Sequence, residues 1–221
     1  MAIDVRQRTL HGDQRIAFHA SWADFQSLAR SIGDQPLRIA FDGERVELMS
    51  PSPEHEALTN ALDIILRSLA ATLGVRFKGM RSTRWERPDT LRGVEADSSY
   101  YLTGEKIDAA RRRPQDPADW PLPDLALEID LRASALDRQG IYAALGVPEV
   151  WRFDGETVSI DCLGPDGEYQ DAHESGWLGI RPEEMVHLLS LDAEDDQDFA
   201  SQVADWARRV LVPRREYRTG G

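Results

Sequence analysis

The sequence has a single cysteine, Cys162, so it cannot close a disulfide within the chain. Nothing in it points to an oxidising compartment. It also lacks a long apolar run: the greasiest stretch, Ala57 to Leu73, is broken by Asp63 and Arg67 and falls short of a membrane span. Met1 to Arg6 contain no apolar core of the kind a signal peptide needs, so a cytoplasmic location with no membrane partner is expected. Positive charge is scarce. Lys and Arg number 26 against 39 Asp and Glu, a formal net charge of −13. A protein holding long nucleic acid by charge alone would be basic, so a nucleic-acid partner would have to be met by a local basic groove or by a metal that offsets the acids. Also missing are a glycine-rich phosphate loop, an HExxH pattern and the paired cysteines of a zinc site. Composition does not exclude a glycosidase carboxylate pair, but nothing singles one out.

What is present suits one core. The chain has 221 residues, 41% of them hydrophobic, which is ordinary for a globular protein. No repeat or linker divides it, so a single domain over 1–221 is expected. Within it, 1–36 form an N-terminal strand and helix appendage, 37–190 the core, and 191–221 a C-terminal helix and tail.

The local signals read in order. Ser21 caps a short helix whose Trp22, Phe25, Leu28 and Ala29 share a stripe. Asp42-Gly43 turns a hairpin between strands over Leu37 to Phe41 and Arg45 to Met49, where Glu47 reads as a solvated partner of Arg45. Ser52-Pro53 opens the main helix, with His55 in its first turn and Leu58, Leu62, Ile65, Leu69 and Leu73 on the buried stripe. Such a histidine is more often a local hydrogen-bonding residue than a ligand. Strands are expected over Arg76 to Trp85 and Val94 to Leu102, with a loop at 86–92. The first is basic, and a solvated sheet face is its commoner reading. Residues 103–123 read as a loop with a helical turn near Ile107 to Ala110; an arginine run such as its Arg111-Arg112-Arg113 is usually just solvated, and it is also the first place to expect a phosphate contact in an acidic chain. Ser134 to Asp137 have the form of a capping box for a helix ending at Gly146. A second hairpin turns at Asp154-Gly155, and Pro182 to Leu189 and Phe199 to Val210 read as closing helices. The elements are of mixed α and β type.

One stretch organises the rest. In Leu125-Ala126-Leu127-Glu128-Ile129-Asp130 the apolar residues alternate with Ala126, Glu128 and Asp130, which reads as a strand with one greasy face and two carboxylates on the other. Glu95 and Asp97 repeat the spacing. Two carboxylates about 6 Å apart repel by roughly 3 kcal/mol at an effective dielectric near 20. Open solvent relieves this cheaply; a covered face calls for a cation, and magnesium suits carboxylates combined with water and a substrate phosphate. Spacing alone leaves both readings open.

Larger blocks occur in order: Phe41-Asp42-Gly43-Glu44, Glu47 to Glu56, Gly93-Val94-Glu95-Ala96-Asp97, Leu125 to Asp130, and Ile141-Tyr142-Ala143-Ala144-Leu145-Gly146-Val147-Pro148-Glu149-Val150-Trp151. Together they resemble the Uma-type restriction-endonuclease-like proteins of the PD-(D/E)XK nuclease superfamily, from about Trp22 to the C-terminal helices. The resemblance implies an α/β (mixed α+β) fold, with a restriction-endonuclease-like core of a mixed central sheet flanked by helices. It also implies a phosphodiesterase site using Mg2+ or Mn2+, DNA as partner, and a homodimer. Asp97 would match the first metal aspartate and Glu128 the second acid, with the carbonyl of Ile129 completing the metal shell. Glu47 and His55 match the upstream acid and the helix-start histidine. Where the superfamily's lysine would stand two residues after the second acid there is Asp130, and where Uma-type proteins take it from the next helix there is Arg138. Arginine can steady negative charge but cannot act as a general base. The resemblance therefore implies either an endonuclease assisted electrostatically by Arg138, or a catalytically silent relative that binds a nucleic acid or protein. Hydrolysis of a smaller phosphodiester is a third reading, better suited to an acidic surface.

Overall fold

The computed structural model describes residues 12–33, 35–114 and 119–219. Parts of three expected segments lie outside the described residues: 1–11 and 34 of the N-terminal appendage, 115–118 of the 103–123 loop and 220–221 of the tail.

Two sheets and six helices make up the described fold. The first sheet is antiparallel throughout and built from β1 (Gln14–His19), β2 (Arg38–Phe41), β3 (Arg45–Ser50), β5 (Arg84–Arg87) and β6 (Arg92–Glu95), in the order β1-β3-β2-β6-β5. The second is mixed and contains β4 (Lys78–Gly79), β7 (Ser98–Tyr101), β8 (Leu125–Ile129), β9 (Glu149–Phe153), β10 (Val158–Leu163) and β11 (Tyr169–Asp171), in the order β11-β10-β9-β8-β7-β4. Only β8 and β9 run parallel, joined through α4 (Arg138–Leu145). This is the mixed α+β class expected from the sequence.

The helices divide the apolar side chains into three groups. α2 (Pro53–Thr72), α5 (Pro182–Leu189) and α6 (Asp196–Thr219) cover one face of the second sheet, through Leu62, Ile65, Leu66, Leu69, Met185, Val203 and Trp151. α4 and α3 (Gly104–Arg111) fill the space against the other face, where Ala126 and Val150 meet Ala40 and Val94 of the first sheet. α1 (Trp22–Ile32) closes the far face of the first sheet with Phe25 stacked on Phe41, 5.4 Å between ring centroids. Among the described residues no helix is long and apolar enough to cross a membrane.

The caps follow local chemistry. Ser21 and Asp24 make a reciprocal capping box, and Ser52 Oγ accepts from the His55 N–H ahead of Pro53 at the first helical position. Gly146 ends α4 in the left-handed region at φ 73°, where only a residue without Cβ sits freely.

Other expectations are corrected. Val94 to Leu102 is not one strand: β6 and β7 belong to different sheets, and Ala96-Asp97 carries the chain between them. Arg76 to Trp85 likewise splits into β4 and the start of β5, in different sheets. The 86–92 segment contains the end of β5 and the start of β6, and the turn near Ile107 is the full helix α3. α4 starts at Arg138, capped by Asp137 Oδ1 accepting from the Gly140 N–H, whereas the Ser134 hydroxyl is turned toward Glu47. β8 has no solvent face, since all five of its residues are buried, and Asp130 falls just beyond it. A strand with a neighbour on each side and helices over both faces needs no polar alternation.

Candidate active site

Asp97 and Glu128 meet where the chain crosses between the sheets and β8 ends. Glu128 and Ala126 share the β8 face turned toward α4, while Leu125, Leu127 and Ile129 face α2. Asp97 leaves the crossover so that Oδ2 accepts the N–H of Ile129 at 2.8 Å, the residue after Glu128. That bond ties the two segments together, and each carboxylate lies in the field of its neighbours. Asp97 is 3% exposed and Glu128 1%.

Every charge here has an opposite beside it. One guanidinium nitrogen of Arg138, Nη2, donates to both oxygens of Glu128 at 2.6 Å each. The Tyr142 hydroxyl, one helical turn on, donates to the same carboxylate. Asp97 Oδ1 lies 2.8 Å from His55 Nε2 and 3.7 Å from Arg38 Nε, contacts of charge without a well-aligned hydrogen bond. His55 is fixed from behind by Asp13, whose Oδ2 is 3.0 Å from Nδ1 and whose Oδ1 accepts the Ser52 N–H at 2.9 Å. Asp13 and His55 are both completely buried.

The ionisation of each group follows from these contacts. Burial pushes the Asp97 carboxyl up, but His55, the Ile129 N–H and Arg138 outweigh it and hold it below its ordinary value. Burial pushes the His55 imidazole down, and Asp97 and Asp13 reverse this, favouring the charged ring. For Glu128 burial wins: despite Arg138, its carboxyl is raised, with Asp97 and Asp130 adding repulsion. Burial and Glu128 hold the Tyr142 hydroxyl protonated well beyond its ordinary range, so it is a donor at neutral pH.

The other expected site residues separate from this pair. Glu47 is not solvated and its partner is not Arg45: it is 2% exposed and accepts from Arg15 at 2.8 Å, Ser134 Oγ at 3.0 Å and the Ala135 N–H at 2.9 Å. It clamps the segment between β8 and α4 onto the first sheet and makes none of its hydrogen bonds to Asp97 or Glu128. Arg45 instead pairs with Asp42. Asp130 lies between Arg15 at 3.9 Å and Arg152 at 3.5 Å. Glu95 ends β6 and accepts the Ile39 N–H at 3.3 Å. In the arginine run, Arg111 is exposed, 3.9 Å from Asp108. Asp13 and Arg38 went unread in the sequence: Asp13 lies in no periodic segment, and neither matches a motif.

Comparison with known families then decides the relationship. A family model described as "Uma2: Putative restriction endonuclease" matches residues 22–194. The chain belongs to the Uma2 family. The match takes in the crossover with Asp97, all of β8, and α4 with Arg138 and Tyr142. Asp13 stands outside it, on the segment that leads into β1. A comparison with curated proteins finds no match.

The donor chemistry suits a hard divalent cation: two carboxylates of one sheet-end site, with Asp97 Oδ1 buried against His55 Nε2 at 2.8 Å. Among the described residues no three His, Cys, Asp or Glu side chains are grouped as metal ligands, so besides these two acids an ion would need the Ile129 carbonyl, water or substrate oxygens. At Glu128 the fit carries a condition, because Arg138 already covers both oxygens.

Proposed function

We propose that this Uma2-family chain is a metal-dependent endonuclease that hydrolyses DNA phosphodiester bonds, with Asp97 and Glu128 holding Mg2+ or Mn2+. The observation that carries this reading is the hydrogen bond from the Ile129 N–H to Asp97, which joins the crossover to the end of β8 and makes two distant acids neighbours. The family's description as a restriction endonuclease supports the reaction class and the substrate. When bound, such an ion would polarise phosphoryl oxygens and favour ionisation of an attacking water.

The chain's own groups divide the remaining work. Arg138 is permanently charged and suited to steady negative charge developing on the scissile phosphate, and it cannot take up a proton. Tyr142, kept protonated, orients Glu128 by donating to it. His55 fixes Asp97 from one side while the Ile129 N–H fixes it from the other. Glu47 acts at a distance, by holding the Ser134-Ala135 segment that leads into α4 and Arg138.

The test is cleavage of supercoiled plasmid with Mg2+ or Mn2+, an EDTA control and the Glu128→Ala variant. Metal-dependent nicking that disappears in the variant is expected; cleavage that survives it dismisses the assigned site. One observation favours a second reading, a silent relative that binds its partner: both Glu128 oxygens accept from Arg138, which stands where a lysine is expected. On that reading the wild type is inert and Arg138→Lys gains cleavage.

A further inference from the structure

We propose that Arg138 is an internal competitor of the divalent cation for Glu128, so that the site takes up metal only when the guanidinium withdraws. The inference rests on the metal-dependent reading above and adds a control to it. Its first support is occupancy. A carboxylate offers roughly four lone-pair directions, and three on Glu128 are filled, two by Arg138 and one by Tyr142. With Glu128 almost wholly buried, nothing enters from solvent without moving one of these donors. Sharing the carboxylate would set a guanidinium beside a doubly charged ion, so the two cations exclude each other.

The second support is that Arg138 is held in a releasable way. Both of its hydrogen bonds to Glu128 leave from one nitrogen, an end-on contact in place of the two-nitrogen fork that grips a carboxylate most firmly. Its Nε is buried with no hydrogen-bond partner. Arg138 also sits in the first turn of α4, at the edge of the helix. Asp137 and Gly140 from that turn line a cavity of about 410 Å³ whose other charged lining residues are Asp42, Glu44 and Arg92.

The competition makes a reciprocal prediction, since a group that blocks the ion also stabilises the empty site. Removing it should weaken the metal-free protein, leaving Glu128 buried without its counter-charge, and make its stability depend on metal. The experiment measures Mn2+ binding by electron paramagnetic resonance, and thermal unfolding in EDTA and in Mn2+, for the wild type, Arg138→Ala and Arg138→Lys. The expected result is tighter Mn2+ binding by Arg138→Ala, within the roughly 5–150-fold range of coupled events. Its Tm should fall in EDTA and recover in Mn2+, while the wild-type Tm moves little. Arg138→Lys keeps a charge with a shorter reach and should bind with intermediate affinity, which preserves the test if the alanine variant folds poorly. Adding Glu128→Gln should abolish the gain. Equal, Glu128-dependent binding by wild type and variants would overturn the competition while leaving the metal site standing. No Mn2+ binding by any of the three proteins would overturn both.

Discussion

Replacing Asp13 with alanine should cost about 3–5 kcal/mol of folding stability, although no motif marks the residue. Two losses set the size. The Ser52 N–H, which donates to Asp13 Oδ1 at 2.9 Å, would be left unpaired where α2 begins, and an orphaned buried donor costs about 1–3 kcal/mol. His55, 3.0 Å from Asp13 Oδ2 and completely buried, would lose one of its two counter-charges, and breaking a buried charged pair costs about 3–5 kcal/mol. The two do not add in full, because one carboxylate serves both. Asp13→Asn is the informative companion. It keeps the shape and the oxygen that accepts the Ser52 N–H, while its amide N–H can face His55 Nδ1 only once the ring gives up that proton, so it should be less damaging than alanine by about the 1–3 kcal/mol of the orphaned donor. Urea unfolding at 25 °C, with an unchanged dependence on denaturant, measures both. An alanine variant within about 1 kcal/mol of wild type, or an asparagine variant as damaged as the alanine one, would rule out this role for Asp13.

Two further predictions concern the scaffold. Burial pushes the Asp124 carboxyl up, but Lys106 and the Thr103 and Leu102 N–H groups outweigh it and pull it below the ordinary value of 3.8. The unfolded chain therefore binds that proton more readily, so the stabilisation is fully present above about pH 4 and fades as pH falls through the folded-state value. Denaturation midpoints of wild type and Asp124→Ala should differ most at neutral pH and draw together towards pH 2; a gap that stays constant would contradict this. At Gly93 an added Cβ would lie 2.4 Å from Phe25 Cζ, so Gly93→Ala should cost about 1–3 kcal/mol by pushing α1 off the first sheet. Phe25→Leu in the same chain should recover part of that loss, and simple additivity of the two changes would count against the contact.

Sequence made the local features readable and left the long-range ones obscure. Ser21 with Asp24, Ser52 with Pro53, and the Asp42-Gly43 and Asp154-Gly155 turns carry their structure within a few residues, and each forms as the pattern implies. The break at Ala96-Asp97 could not be seen, because no glycine or proline separates β6 from β7 and the residues on both sides suit strands. Glu47 looked solvated because its register gave one apolar face and one polar face; the polar face proves to be covered by the segment after β8, 87 residues away for Ser134. Ser134 had the spacing of a helix cap, and its hydroxyl found that same distant acid. For the site, motif order put forward Asp97, Glu128, His55, Arg138 and Glu47; the structure brings the first four together and gives Glu47 other partners. Asp13 depends wholly on tertiary placement: its partners, Ser52 and His55, lie 39 and 42 residues along the chain.

The proposed chemistry requires Asp97 and Glu128 to share one hard cation. Crystals soaked in manganese and measured for anomalous scattering test it most directly. A peak is expected about 2.0–2.3 Å from an oxygen of each carboxylate, with the Arg138 guanidinium moved away from Glu128. Manganese found only on surface carboxylates, with Arg138 still on both oxygens of Glu128, would contradict it.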